Sequence, residues 1–189
     1  MKKIVILLCV MMMFVGTASA TVLNFDDLTA DWWAPVASYG GLTWDNFGVT
    51  DKDHYSGVGR KHAATSGKNF FVNLSNAVGS TNGVSFDFNG ANFTSLYGSS
   101  IILNLIGYDS NASMAYDETF TIYNDKATWI DANFLNVTKV SMNVNVCGSG
   151  QGFGMDDFTF NETPVPEPAT LLLLGSGLAG LAFYRRKRQ

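Results

Sequence analysis

The chain has 189 residues, of which 47% are hydrophobic, 13% aromatic and only 15% charged. This length suits a single domain, the aromatic content argues against intrinsic disorder, and two cysteines are too few for a disulfide scaffold. Between positions 21 and 164, six basic and 15 acidic residues give a formal charge of −9, which argues against nucleic-acid binding because phosphate backbones would be repelled.

Residues 1–20 have the three parts of a secretory signal peptide. Lys2 and Lys3 provide a positive start, twelve apolar residues follow from position 4 to 15, and the stretch ends in GTASA. Ala18 and Ala20 stand at the −3 and −1 positions of a small-residue cleavage site. The sequence therefore predicts recognition by the secretion machinery, cleavage after Ala20 and a mature chain that begins at Thr21.

The body of the chain, residues 21–163, has the pattern of an all-β ectodomain. Apolar and polar residues alternate in short segments separated by Gly, Asn and Ser, and no segment keeps a helical period. This pattern predicts an antiparallel β-sandwich, jelly-roll-like, with roughly eight to ten strands. The clearest strand segments are residues 23–25, 41–49, 69–74, 83–90, 100–109, 118–125, 138–146 and 154–161.

Two aspartate pairs lie at the two ends of this body. Asp26 and Asp27 follow the first predicted strand, and Asp156 and Asp157 lie in the last. If these strands are neighbours, the four carboxylates converge and offer the hard oxygen ligands that a structural Ca²⁺ prefers. The simpler alternative is that they cap turns and keep strand edges soluble.

Adjacent tryptophans, Trp32 and Trp33, lie in a predicted loop. Indole rings stack on the apolar faces of sugars, and neighbouring Asp and Asn side chains bind hydroxyl groups, so this pair is a candidate carbohydrate-binding site. The alternative is that these rings plug the edge of the sandwich core.

The body gives little support for catalysis. His54 and His62 lie in a polar, Gly-containing segment, and the GxSxG, HExxH and CxxC spacings are absent. Paired-carboxylate chemistry needs two acids facing across a cleft, and the only glutamates of the body are Glu118 and Glu162. We therefore predict that the protein is not an enzyme.

The C-terminal residues 164–189 have the features of a membrane anchor. Three prolines within five positions make an extended spacer, and residues 169–184 are uncharged. Sixteen such residues form a short transmembrane helix, with the basic tail that follows kept in the cytoplasm. The spacer prolines are Pro164, Pro166 and Pro168, and the basic tail is Arg185, Arg186, Lys187 and Arg188.

This segment resembles the PEP-CTERM sorting signal of Gram-negative envelope proteins. The resemblance rests on Pro166-Glu167-Pro168, a glycine-interrupted apolar stretch and a terminal basic cluster. It implies an intermediate anchored in the inner membrane, recognition by an exosortase, cleavage near the tripeptide, and transfer to the cell surface or exterior. Such proteins usually accompany exopolysaccharide production, biofilm or floc formation.

The body also resembles a β-sandwich ectodomain found on other proteins of this kind. The segments that carry this resemblance are FDDL at 25–28, YGGLTWDNFGV at 39–49 and MDDFTF at 155–160. It implies an architecture similar to carbohydrate-binding jelly rolls. Together these features predict an exported, non-enzymatic matrix protein associated with exopolysaccharide. The alternatives are a secreted glycan-active hydrolase and a surface protein without a ligand.

Overall fold

The computed structural model describes residues 20–54, 57–73, 78–145 and 152–161. All of them belong to one unit, Ala20–Glu162. The predicted signal peptide, apart from Ala20, lies outside the described residues, as do the PEP tripeptide, the transmembrane segment and the basic tail. Within the described ranges, no helix is long and apolar enough to cross a membrane.

Eleven strands and one short helix form the described part of the chain. They are, in chain order, β1 (Thr21–Leu23), β2 (Ala34–Pro35), β3 (Ser38–Tyr39), β4 (Leu42–Asp45), β5 (Gly48–Asp51), α1 (Val58–Ala63), β6 (Asn69–Asn73), β7 (Gly79–Ser95), β8 (Ser100–Tyr108), β9 (Met114–Tyr123), β10 (Thr128–Asn145) and β11 (Phe153–Phe160).

Alternation of side chains explains why these segments form strands. In β8, the side chains of Ile101, Leu103 and Leu105 are buried, whereas the residues between them are exposed or half-buried. Successive side chains of a strand point to opposite faces, so this pattern places one face of β8 against the core and the other toward water. Its partner β9 is antiparallel, with Leu103 opposite Phe120.

Strands β7 and β10 are long and pair with each other in both halves of the structure. One end of β7, residues 79–82, pairs with 139–142 of β10, and residues 90–93 pair with 128–131. Because the first half of this pair lies between β4 and β8, it belongs to a first layer in the order β3-β4-β7-β10-β8-β9. The other half belongs to a second layer in the order β2-β5-β6-β11-β7-β10.

Bulges in β10 allow the chain to bend between the layers. The register with β7 shifts between Asp131 and Phe134 and again between Phe134 and Val137. Asn133 and Asn136 have φ values of 51° and 54° at these points. Asn accepts this left-handed conformation more readily than most residues, and an extra residue bends a strand.

The core between the layers is rich in aromatic rings. Trp44 of β4 packs edge-on against Phe71 of β6 and Phe158 of β11, with ring centroids 5.0 Å and 5.1 Å apart. Phe71 in turn stacks on Phe25 at 3.8 Å. Since β4 belongs to the first layer and β6 to the second, these contacts show that the layers pack face to face. The predicted antiparallel β-sandwich is confirmed.

A second, smaller core covers the outer face of the second layer. Helix α1 lies there, and Ala63 at its end is buried with Phe70 and Val72 of β6 and with Leu96. This helix was not expected from the sequence, because six residues are too few to show a helical period.

Candidate functional site

The first and last strands of the fold are neighbours. Strand β1 pairs antiparallel with β11, with Thr21 opposite Phe160 and Leu23 opposite Phe158. This pairing brings the two predicted aspartate pairs to the same part of the molecule. Asp26 of the first pair and both aspartates of the second contact the segment of residues 65–69, which leads from α1 into β6. We call this segment the carboxylate-held loop.

Asp156 holds the start of this loop. Its buried carboxylate accepts hydrogen bonds at Oδ2 from the backbone N–H of Thr65 at 2.7 Å and of Ser66 at 3.0 Å. The hydroxyl groups of both residues donate to the same oxygen at 3.1 Å. Burial raises the pKa of the Asp156 carboxyl above its ordinary value, these backbone donors oppose the rise, and the charge of Asp157 adds to it.

Asp157 is turned to the same side of the sheet as Asp156 by a bulge. Neighbouring side chains of a regular strand point to opposite faces, but the register of β11 shifts here and Asp157 has a φ of 52°. Its Oδ2 accepts hydrogen bonds from Thr65 Oγ1 at 2.6 Å and from Asn92 Nδ2 at 3.1 Å. Asn92 also donates to Thr65 Oγ1 at 3.2 Å.

Asp26 holds the end of the carboxylate-held loop, whereas Asp27 contacts Tyr39. Asp26 Oδ1 accepts from the backbone N–H of Lys68 at 2.7 Å and of Asn69 at 3.0 Å, and its carboxylate lies so close to Gly67 that a Cβ there would overlap it. Asp27 accepts a hydrogen bond from the Tyr39 hydroxyl. Burial, this bond and the negative charges of both aspartates raise the pKa of Tyr39 to about 12.

The predicted calcium site stays a prediction. Asp26, Asp156 and Asp157 each accept hydrogen bonds from protein donors in the carboxylate-held loop, an arrangement close to the turn-capping alternative. Within the part of the chain that the structure describes, no group of three or more His, Cys, Asp or Glu side chains is placed to hold a metal ion.

The acidic residues before His54 also contact the carboxylate-held loop. Lys68 Nζ lies 4.0 Å from Asp51 and 3.8 Å from Asp53, and Lys52 donates a hydrogen bond to the Gly67 carbonyl at 2.8 Å. The two acids that flank Lys52, Asp51 and Asp53, are thus paired with a lysine.

Trp32 and Trp33 lie at the free edge of the second layer. They directly precede β2, which pairs only with β5 among the described strands. The side chain of Trp32 is 47% exposed and that of Trp33 is 36% exposed. The Trp33 ring lies against Gly48 of β5, where a Cβ would come within 2.4 Å of Cδ1 and Nε1. Trp33 is therefore held against the sheet, whereas Trp32 projects further into solvent.

A third tryptophan, Trp129, lies at the opposite edge of the same layer and is 46% exposed. It is the cross-strand partner of Asn92, and its ring reaches over Gly90, where a Cβ would lie 2.9 Å from Cζ2. From the sequence, Trp129 is only a weaker candidate for sugar stacking than Trp32 and Trp33. Its position beside Asn92, Thr65 and Asp157 becomes visible only in the fold.

The C-terminal segment matches a known sorting motif. The family model described as the PEP-CTERM protein-sorting motif matches residues 164–188. The chain carries a PEP-CTERM sorting motif. The match includes the predicted tripeptide Pro166–Pro168 and extends to Arg188. Such a motif implies export, processing by an exosortase at the membrane, and a cell-surface or extracellular destination.

The fold of this PEP-CTERM protein is similar to solved β-sandwich structures. A DUF4465 family protein from Bacteroides caccae ATCC 43185 matches with a TM-score of 0.54 and 9% identity, covering 80% of this chain and 96% of that chain. This likeness shows the fold. No curated protein is significantly similar in sequence.

Two further structures match with lower scores. The K2 cleaved adhesin domain of Lys-gingipain has a TM-score of 0.49 and 11% identity, covering 75% of this chain and 97% of that chain. A family 29 carbohydrate-binding module has a TM-score of 0.41 and 11% identity, covering 80% and 99%.

Proposed function

We propose that this PEP-CTERM protein is a non-enzymatic module that binds uncharged polysaccharide in the envelope or extracellular matrix, in association with exopolysaccharide, biofilm or floc. The sorting motif supports the location. The exposed tryptophan pair at the edge of the second layer is the observation that carries the binding function.

Trp32 and Trp33 have the properties of a stacking surface. Both residues expose a large part of their aromatic surface, 47% for Trp32 and 36% for Trp33, and Trp33 is fixed against Gly48, so little conformational entropy is lost when a ligand binds. The Asp31 side chain, which accepts a hydrogen bond from the Trp32 N–H at 2.7 Å, supplies an acceptor for sugar hydroxyls next to the rings.

Charge supports an uncharged ligand. The body has a formal charge of −9, so an anionic polysaccharide would be repelled over distances of about one Debye length, ~8–10 Å at physiological salt. A neutral polymer has no such penalty, and its affinity would depend little on salt.

Structural roles account for the acids that a hydrolase would need. Asp156 and Asp26 hold the backbone of the carboxylate-held loop, and Asp51 and Asp53 pair with Lys68. These contacts support a binding role rather than a catalytic one for this surface.

Affinity gel electrophoresis of the secreted body tests the proposal. Gels contain hydroxyethylcellulose, xylan or galactan as neutral polymers and alginate as the anionic one. We expect retention by at least one neutral polymer, and the Trp32→Ala/Trp33→Ala double variant should bind it about tenfold more weakly, a loss of ~1.4 kcal/mol.

Tyr123→Ala is the matched control, because Tyr123 is a 41% exposed aromatic residue on the other layer. Its retention should equal that of the unmodified protein. If the unmodified protein migrates freely in all four gels, the protein is a surface module without a polysaccharide ligand and the proposal is wrong.

A further inference from the structure

We propose that a second polysaccharide-binding site is centred on Trp129, so that one module binds two polysaccharide segments and cross-links them. This inference rests on the proposed function, because it assumes the same class of ligand. It is carried by different residues, at the other edge of the second layer.

The Trp129 ring lies against the backbone of β7 at Gly90. Gly90 has no side chain, and a Cβ there would lie 2.9 Å from Trp129 Cζ2, so the indole occupies the space above the backbone of the neighbouring strand. With 46% of the residue exposed, a large part of the indole remains accessible to a ligand. A ring supported from below by backbone is preorganised for stacking.

Polar groups stand beside this ring on the same face of the sheet. Asn92 is directly opposite Trp129 in the β7–β10 register, so their side chains share a face. The Asn92 amide is oriented by its hydrogen bonds to Thr65 Oγ1 and Asp157 Oδ2. Within the described residues, the bonds to the Asp157 carboxylate all end on Oδ2, which leaves Oδ1 as an acceptor for ligand hydroxyls.

This combination selects the chemistry of the ligand. The apolar C–H face of a pyranose ring covers an indole, and its equatorial hydroxyls then extend sideways toward carboxylate and amide oxygens. Asp156 and Asp157 make the site acidic, so an anionic sugar would be repelled from it. The ligand class is therefore a neutral, hydroxyl-rich glycan.

The two sites are too far apart to act as one. Trp33 precedes β2, whereas Trp129 lies on β10, and four strands separate these two in the second layer. The Trp33 ring lies over β5 and the Trp129 ring over β7, so three strand spacings of ~4.8 Å, about 14 Å, separate the two rings. This is wider than one sugar ring, so each tryptophan contacts a different sugar unit, and the two units can belong to two polymer chains.

The test combines retention with bridging. Beads are coated with the neutral polymer that retains the unmodified protein best. They are mixed separately with the unmodified protein and with four variants: Trp129→Ala, Trp129→Tyr, Trp32→Ala/Trp33→Ala and Tyr123→Ala. Bead aggregation by light scattering reports bridging, gel retention reports binding, and thermal unfolding confirms that each variant is folded.

We expect Trp129→Ala to weaken retention about fivefold and to abolish bead aggregation. The residual binding should be lost when the Trp32→Ala and Trp33→Ala changes are added. Trp129→Tyr, which keeps an aromatic ring, should retain most of both activities, and Tyr123→Ala should behave like the unmodified protein. If Trp129→Ala is folded and still binds and aggregates beads normally, while the double variant has lost binding, this inference is wrong and the proposed function stands. Failure of the unmodified protein to bind any neutral polymer overturns both proposals.

Discussion

The carboxylates of Asp156 and Asp157, which are adjacent in β11, both accept a hydrogen bond from the same hydroxyl group, that of Thr65. Two neighbouring strand residues reach one partner only because the bulge at Asp157 turns its side chain to the face that Asp156 already occupies. The same bulge aims Asp157 at Asn92 and so connects the carboxylate-held loop to the surroundings of Trp129.

Replacing Asp156 tests the importance of the carboxylate-held loop for stability. In the folded protein, Asp156 Oδ2 accepts hydrogen bonds from two backbone N–H groups and two hydroxyls. In Asp156→Asn, one of the two carboxylate oxygens becomes an NH2 group, which cannot accept a hydrogen bond. Because buried donors left without an acceptor cost about 1–3 kcal/mol, we expect a loss of roughly 2–3 kcal/mol in the free energy of unfolding, measured by urea denaturation.

Asp125→Asn is the control for this change, because Asp125 is an exposed acid in the turn before β10. It should alter stability by less than about 0.5 kcal/mol. Equal stabilities of the two variants would show that the loop is not held by Asp156.

The Tyr39–Asp27 contact predicts a pH dependence on the alkaline side. The pKa of Tyr39 is raised from 10.0 to about 12 in the folded protein, so the folded state keeps a proton that the unfolded state has lost between these values. Stability from this group is fully present below pH 10 and is lost as the pH rises toward 12. Tyr39→Phe should therefore show a shallower fall in unfolding free energy across this interval.

The measurement is chemical denaturation at several alkaline pH values for the unmodified protein, Tyr39→Phe and Tyr123→Phe. Tyr123 is 41% exposed and serves as the control tyrosine. An identical slope for the unmodified protein and Tyr39→Phe would contradict the raised pKa.

Intact-mass analysis of the protein from its host tests the two processing signals. We expect a product in the culture medium or at the cell surface that begins at Thr21 and ends near Glu167, because signal peptidase cleaves after Ala20 and an exosortase cleaves near the tripeptide. A membrane-bound product that still carries Arg185–Arg188 would instead show a tail-anchored protein and contradict sorting.

Regular alternation made part of the fold predictable. The segment predicted at 100–109 corresponds to β8, Ser100–Tyr108, because every second side chain from Ile101 to Leu105 is buried and the register with β9 shifts only at the end of the strand, between Gly107 and Tyr108. In contrast, the predicted strands 83–90 and 138–146 are only pieces of β7 and β10, which run over Gly79–Ser95 and Thr128–Asn145. Bulges and register shifts break the period of two and hide the true length.

The candidate site was predictable only where residues adjacent in sequence act together. Trp32 and Trp33 are neighbours in the chain and both are exposed, as a binding role requires. The Trp129 site draws its parts from β10, β7, β11 and the carboxylate-held loop, and no sequence spacing connects Trp129 to Asp157 or Thr65. The positive φ of Asp157 follows from tertiary contacts, since the dipeptide Asp-Asp is equally compatible with a turn.

Strands β7 and β10 cross from one layer of the sandwich to the other while remaining paired. In a sandwich whose sheets are joined only by loops, a lateral pull can slide one sheet over the other by breaking side-chain contacts. Here two paired strands run through both sheets and stay antiparallel partners on either side of the bulges, so a force on one layer is transmitted through the main chain to the other. A module built in this way would withstand shear as a single body, and it would yield in one event rather than by stepwise peeling.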